Sequence, residues 1–294
     1  MDHSDLLTER FEEHRSHLRA VAYRMLGSVS EADDAVQETW LRYGRTDTSG
    51  VENLGGWLTT VAGRVCLNML RSREARREDP LEIHVPDPVI SHPSGVDPEQ
   101  KALLADSVGL AMLVVLASLA PAERVAFVLH DMFAVPFDDI APLIERTTAA
   151  TRQLASRARR RVQSQTTPPE PDLARQREAV DAFFAAAHEG DFEALVAMLD
   201  PDVVLRADGG DTRSRLSVAL TGARAVASQA ARFSGLSPFA RPALINGAAG
   251  VVVVVNGNPV SVMAFTVTNG RITAIEVLAD PDRLRRLDLT PLDR

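Results

Sequence analysis

The stretch TTAATRQLASRARRRVQ, residues 147–163, decides the reading of this chain. Thr151, Leu154, Ala155, Ala158 and Val162 recur at three- and four-residue steps, the spacing of one buried helix face. Arg152, Gln153, Ser156, Arg159 and Arg160 then project together from the other side. Ahead of it, PFDDIAPLI (residues 136–144) carries a second helical pattern, and a tight turn joins the two. Two helices around a short turn, the second bearing outward Arg, Gln and Ser, is how a helix-turn-helix sets base-reading groups in the major groove. Arg forks onto guanine, Gln onto adenine, and the remaining arginines hold phosphates. On this stretch alone, a solvated arginine-rich helix is the competing reading.

The whole chain limits what that motif can mean. Its 294 residues suggest two or three domains with proper cores. A net charge of −8 argues against coating of nucleic acid by the protein at large, so DNA contact must be local, with acidic surface left for a protein partner. The single cysteine, Cys66, excludes an internal disulfide, fits a reducing cytoplasm, and sits in an apolar run as inert packing. The N-terminus MDHSDLLTERFEEHR is too charged for a signal peptide. The apolar run AAGVVVVV (residues 248–255) is too short to span a bilayer as a helix. These features imply a cytoplasmic protein with no membrane partner.

Residues 10–78 read as helical. Leu18, Val21, Ala22, Met25 and Leu26 stripe a first helix; Ser30 with Asp33 resembles a capping box opening a second. Ala32, Ala35, Val36, Thr39 and Trp40 would form the buried side of that second helix, and Trp57, Leu58, Val61, Ala62, Val65 and Met69 that of a third. Five prolines between Asp79 and Pro98 read as a linker, and SQTTPPEPD as another. Helical patterning returns from Gln100 to Val162, with Pro121 as a first helical residue. Beyond residue 173 the pattern changes. Helices at about 174–188, 191–199 and 223–233 accompany a strand at 203–207, then valine-rich runs punctuated by Asn256-Gly257 and Asn269-Gly270 hairpin turns. Helices followed by an antiparallel sheet indicate an α+β domain.

With these elements placed, the chain resembles an extracytoplasmic-function sigma factor with a C-terminal SnoaL-like extension, over nearly its whole length. SEADDAVQETWLRYGR (30–45) looks like the region-two helix that docks on RNA polymerase. GGWLTTVAGRVCLNMLRSREARRE (55–78) looks like the segment that reads and opens the −10 element, and residues 116–162 look like region four, which reads the −35 element. The resemblance implies two all-α domains and a cone-shaped α+β domain. Its divisions are region two at 1–79, a flexible linker at 80–99, region four at 100–165, a linker at 166–172 and the SnoaL-like domain at 173–294. It implies core polymerase and promoter DNA as partners and no cofactor. Asp34, Gln37 and Glu38 form the acidic face for polymerase. Arg64, Asn68 and Arg71 share a polar face for the −10 element, while Arg152, Gln153, Ser156, Arg159 and Arg160 serve the −35 element. Trp40 and Trp57 match core positions.

Several positions depart from the family pattern. Glu145 stands where the region-four turn usually has glycine, so a left-handed backbone there is strained. Pro142 falls inside the first helix of the motif, and Thr151 takes a usually aliphatic core position. HVPDP (84–88) replaces a WLPEP-like linker segment. DGGDT (208–212) replaces DGGGK, and DPDRL (280–284) replaces NPDKL. By resemblance Asp208, Gly209, Gly210, Asp211, Asp280, Pro281, Asp282 and Arg283 are regulatory contact points toward the sigma regions.

SnoaL-like relatives include enzymes that use Asp and His, so His188, Asp191, Arg206, Asp208 and Asp211 are the acid–base candidates here. His188 reads better as a helix end closed by Gly190. The strands supply apolar and small residues, and no metal-ligand spacing is present. The reading is therefore non-enzymatic: a promoter-specificity subunit whose extension modulates it, with a small ligand of the extension left open. A ligand-responsive helix-turn-helix regulator acting without polymerase is the alternative, and residues 30–78 discriminate, since such a regulator does not need them.

Overall fold

The computed structural model describes residues 3–76, 83–94, 109–165 and 169–293. The chain forms two compact units, one from residues 1–80 and 115–165, the other from 81–114 and 166–294.

The first unit is helical. Helices α1 (His3–Leu26), α2 (Val29–Tyr43) and α3 (Leu54–Arg76) bury their apolar stripes against one another. Phe11, Leu18, Val36, Leu58 and Ala62 lie at the centre of their core. Trp40 and Trp57 pack half-buried at its edge, with Trp40 5.1 Å from Phe11 in an edge-on contact. The start of α2 corrects the expectation from sequence. Ser28, not Ser30, is the N-cap, and its hydroxyl accepts the N–H of Glu31, because the helix begins one turn-position earlier at Val29. Asp33 is instead exposed and held by Arg19.

Helix α4 (Leu110–Ala117) leads to α5 (Pro121–Phe127), which opens on Pro121 and carries Glu123 in its first turn, as its sequence suggests. A π-helical turn, Val128–Met132, follows, then α6 (Phe137–Leu143) and α7 (Thr148–Gln165). Thr151, Ala155, Ala158 and Val162 form the buried face of α7, the predicted stripe with Leu154 half-buried beside it. Thr151 tolerates the core because its hydroxyl donates to the Thr147 carbonyl at 3.0 Å. Arg124, almost fully buried, ties the unit together: its guanidinium donates to the carbonyls of Met25 at 2.9 Å and of Ala117. At Gly63 of α3 an added Cβ would lie 3.0 Å from Leu129 and 3.2 Å from Leu143, so the missing side chain lets α3 approach the π-helical turn and α6 closely.

The second unit is the expected α+β domain. Helices α8 (Leu173–Glu189), α9 (Phe192–Met198) and α10 (Ala223–Arg232) accompany seven strands: β1 (Ile90–Ser91), β2 (Leu199–Asp208), β3 (Val218–Thr221), β4 (Ala240–Ile245), β5 (Ala248–Val255), β6 (Asn258–Thr268) and β7 (Arg271–Leu278). The short helix α11 (Pro281–Leu284) follows them. The sheet order is β1-β4-β5-β6-β7-β2-β3. Asn256-Gly257 and Asn269-Gly270 turn the β5–β6 and β6–β7 hairpins with positive φ at both residues, as type I′ turns require. Asn246-Gly247 does the same between β4 and β5, a third such signal. Phe183 of α8 meets Phe265 of β6 edge-on at 5.8 Å in the core.

Two features differ from the sequence expectation. The sheet is mixed, because β2 pairs with β7 in parallel; its long return through the hairpins brings the two strands alongside in the same direction. The segment expected to be a flexible linker belongs, in its described part, to the second unit. Ile90 and Ser91 pair with Ile245 and Leu244 at the sheet edge. The Val89 N–H donates to the buried Asn246 Oδ1 at 3.0 Å, and the Asn246 N–H donates back to the Val89 carbonyl at 2.8 Å. Five prolines suggested mobility, yet an exposed sheet edge offers unpaired backbone groups that an extended proline-rich strand can satisfy. The shorter linker is also fastened where described, since the Glu170 N–H donates to the Val267 carbonyl at 2.7 Å.

Candidate nucleic-acid interface

Helix α7 is set by its turn. Thr147 accepts the Ala150 N–H, and the Arg146 N–H donates to the Ala141 carbonyl at 3.0 Å, closing α6. The reversal requires a positive φ, and Glu145 supplies it at φ 58°, the strained left-handed conformation anticipated where glycine is usual. Pro142 lies in the last turn of α6, and its carbonyl accepts Arg64 Nη2 at 3.2 Å.

The structure presents most of the predicted α7 face outward. Arg152, Gln153 and Arg160 are exposed; the Arg152 guanidinium lies 5.7 Å from the Phe137 ring centre, a cation–π contact that aims it along the motif. Ser156 is half-buried. Arg159 differs from an unencumbered outward group: its Nε donates to Asp131 at 2.7 Å, from the π-helical turn.

On α3, Arg64, Asn68 and Arg71 share one exposed face. Arg64 bonds Pro142, and Arg71 lies 4.0 Å from Glu145, so two of the three touch the helix-turn-helix while Asn68 remains open. Between them lies a groove of about 450 Å³, lined by Arg42, Arg45, Trp57, Thr60 and Arg64 on one side and by Asp139, Pro142 and Leu143 on the other. Sequence reasoning missed Arg42, Arg45 and Thr60. Their signal lay in the ends of two consecutive helices, which only the packing of α2 on α3 brings together. On α2, Asp34 and Gln37 are exposed, and Glu38 is half-buried with Arg42 at 3.0 Å. Buried Ala32, Ala35, Val36 and Thr39 fix that orientation.

The proposed regulatory residues converge in the second unit on the linker segment. Arg283 is the centre. Its Nε donates to Asp87 at 2.8 Å, its Nη1 to Asp208 at 2.8 Å, and its Nη2 to the Val85 carbonyl. Asp208, 4% exposed, also accepts the Val85 N–H at 3.0 Å, and His84 lies 3.6 Å from it. HVPDP, DGGDT and DPDRL thus meet at one clamp. Gly210 has φ 60°, and an added Cβ would lie 2.4 Å from Asp280, so no other residue fits. Gly209 is equally constrained, its added Cβ falling 2.2 Å from the Arg213 carbonyl oxygen. Asp280 caps the short helix α11, accepting the Asp282 N–H at 2.8 Å, and Pro281 opens that helix. Asp211 and Asp282 stay exposed outside the clamp.

Of the acid–base candidates, His188 and Asp191 lie at helix ends, with Asp191 capping α9 and Gly190 closing α8 in the left-handed conformation. Arg206 pairs with Glu276 at 2.9 Å, and burial pushes the Glu276 carboxyl up to about 7 against the opposing pull of that arginine. Cys66 is fully buried, and burial pushes its thiol up to about 12. Among the described residues no cluster of His, Cys, Asp and Glu could hold a metal ion, and no helix is long and apolar enough to cross a membrane.

A helical unit with two outward arginine-bearing faces is thus joined to an α+β unit that includes the described part of the intervening segment. A model of sigma-70 region 2 matches residues 10–76. The chain is 38% identical over 287 residues to the ECF RNA polymerase sigma factor SigJ of Mycobacterium tuberculosis, covering 93% of this chain and 91% of that protein. It is 34% identical over 290 residues to the probable ECF RNA polymerase sigma factor SigI of the same species, covering 97% of each. The crystal structure of M. tuberculosis SigJ matches at a TM-score of 0.76 and 35% identity, over 96% of this chain and 100% of that one. The chain belongs to the extracytoplasmic-function family of RNA polymerase sigma factors.

Proposed function

We propose that this sigma factor binds core RNA polymerase through Asp34, Gln37 and Glu38 on α2 and directs it to promoters read at two separated elements. The observation that carries the reading is the pair of exposed faces in the first unit. One, on α3, offers Arg64, Asn68 and Arg71; the other, on α7, offers Arg152, Gln153 and Arg160, with Ser156 half-buried among them and Arg159 held by Asp131 until DNA replaces that contact. Each mixes phosphate-holding arginines with an amide able to read adenine. Promoter engagement exchanges contacts: Arg64 leaves the Pro142 carbonyl, and Arg71 leaves Glu145, to meet the −10 element. Neither contact opposes this strongly, since exposed pairs stabilise by at most about 1 kcal/mol.

The extension acts on this machinery through the linker, whose hold on the second unit sets how freely regions two and four can separate on polymerase. It is regulatory in this reading and does not catalyse. The test is core binding by the full chain: reversing Asp34 and Glu38 to lysine should weaken it while thermal stability changes little, because both side chains face solvent or lie at its edge. Unchanged binding by the double variant overturns the assignment of this face.

A further inference from the structure

The sheet of the second unit curves round a cavity of about 180 Å³. Its floor is apolar, with Leu205, Ala207, Val253, Met263, Ile275 and Val277 contributed by four strands. Phe183 and Phe184 of α8 form one wall, and Phe233, 43% exposed, stands at the mouth with Leu216 and Leu236. Among the described residues that line it, the sole ionisable side chain is Arg213; Gln229, Ser237 and Ser261 are the other polar groups. Glu276 is not among them, since it alternates with Ile275 and Val277 and so faces the opposite side of the sheet, toward Arg206. The lining therefore offers no acid–base pair, and what it offers a small molecule is binding.

Arg213 gives that binding a direction. It sits half-buried in the 3-10 turn Asp211–Leu216, and its guanidinium makes one long hydrogen bond, 3.5 Å, to the Ala279 carbonyl. A guanidinium has five donors in a planar fork suited to a carboxylate. Half-buried beside apolar walls, it binds such an anion more strongly than at a fully open surface. Size sets the rest. A cavity of about 150 Å³ lined by Leu, Ile and Phe accommodates benzene, so this one, of about 180 Å³, encloses one ring and lets a second fused ring extend toward the mouth at Phe233, and its phenylalanines favour aromatic faces and edges.

We propose that the cavity binds a small aromatic carboxylate, its ring between Phe183, Phe184 and Met263 and its carboxylate on Arg213. The proposal is independent of the transcription reading, because its test measures binding alone. Titrate the full-length chain calorimetrically with 2-naphthoate and, separately, with the neutral 2-naphthalenemethanol. The expected result is saturable one-to-one binding of naphthoate. Arg213→Ala should weaken naphthoate by about tenfold or more, the worth of a charge-assisted pair, and the alcohol far less. Ala230→Phe, filling the cavity from α10, should abolish binding of both; if it fails to fold, Ser261→Leu fills the cavity from β6. No saturable binding of either probe overturns the proposal. So does binding that survives cavity filling in a folded variant, and so does an Arg213→Ala chain that binds naphthoate as tightly as the parent.

Discussion

Arg283→Gln is expected to release the linker segment from the second unit. The Arg283 side chain is 17% exposed and reaches Asp87, Asp208 and the Val85 carbonyl at once. Its loss leaves the Asp208 side chain, 5% exposed, without its cation. Removing one partner of a buried ion pair costs about 3–5 kcal/mol. Asp208 keeps the N–H groups of Val85 and Gly210, and Asp87 can rehydrate at its rim, so the lower end, about 3 kcal/mol, applies. That is roughly a hundredfold change in the ratio of docked to released segment. Amide hydrogen exchange on the full chain reads it directly, because local opening free energies set exchange rates. The Val85 amide, bonded to Asp208 at 3.0 Å, should exchange roughly a hundredfold faster in the variant. Val89 and Asn246 should change less, since their reciprocal bonds and the β1–β4 pairing survive. Unchanged exchange at Val85 in a folded variant would refute the reasoning and assign the hold to the sheet edge alone.

Three further outcomes follow from single residues. Glu276 is protonated more readily folded than unfolded, so it subtracts stability as pH rises from its unfolded value near 4.5 toward about 7; Glu276→Gln should remove that decline, up to about 3 kcal/mol, in thermal melts run between pH 5 and pH 8. Glu145→Gly should raise stability by roughly 0.5–1 kcal/mol in urea unfolding by relieving the left-handed strain, since the 4.0 Å pair with Arg71 is too exposed to matter. Cys66 should resist a thiol reagent in the native chain and react fully once unfolded, because its thiol is buried and pushed up to about 12.

The helical faces were legible because periodicity alone determines them: the α7 stripe and the α2 stripe both lie where spacing places them. Glu145 was legible as a strained turn through the resemblance, which implies glycine at that position, because few other residues adopt a left-handed backbone at low cost. What sequence concealed was long-range. The cap is Ser28 and not Ser30 because the helix already begins at Val29, which puts Ser30 inside its first turn, and the backbone trajectory rather than the local sequence decides that start. Prolines at 86 and 88 suggested a free linker. The partners that fix it, Asp208, Asn246 and Arg283, lie more than a hundred residues away. The pairing of Arg159 with Asp131 and the groove beside Trp57 likewise depend on packing between helices distant in sequence. The segments DGGDT and DPDRL were visible with the sigma regions as their expected partner and HVPDP as a linker segment, and the described contacts join the three to one another.

The most direct test of the central claim is transcription by purified core RNA polymerase on a randomised promoter library, with and without the full chain, followed by sequencing of the initiated templates. The account predicts initiation that depends on this chain and enriches two separated elements. Arg152→Ala and Gln153→Ala should relax the upstream element alone, and Asn68→Ala the downstream one alone, each by about 1–3 kcal/mol of base discrimination. Initiation that is the same without the chain, or substitutions that lower output evenly on every sequence, would contradict it.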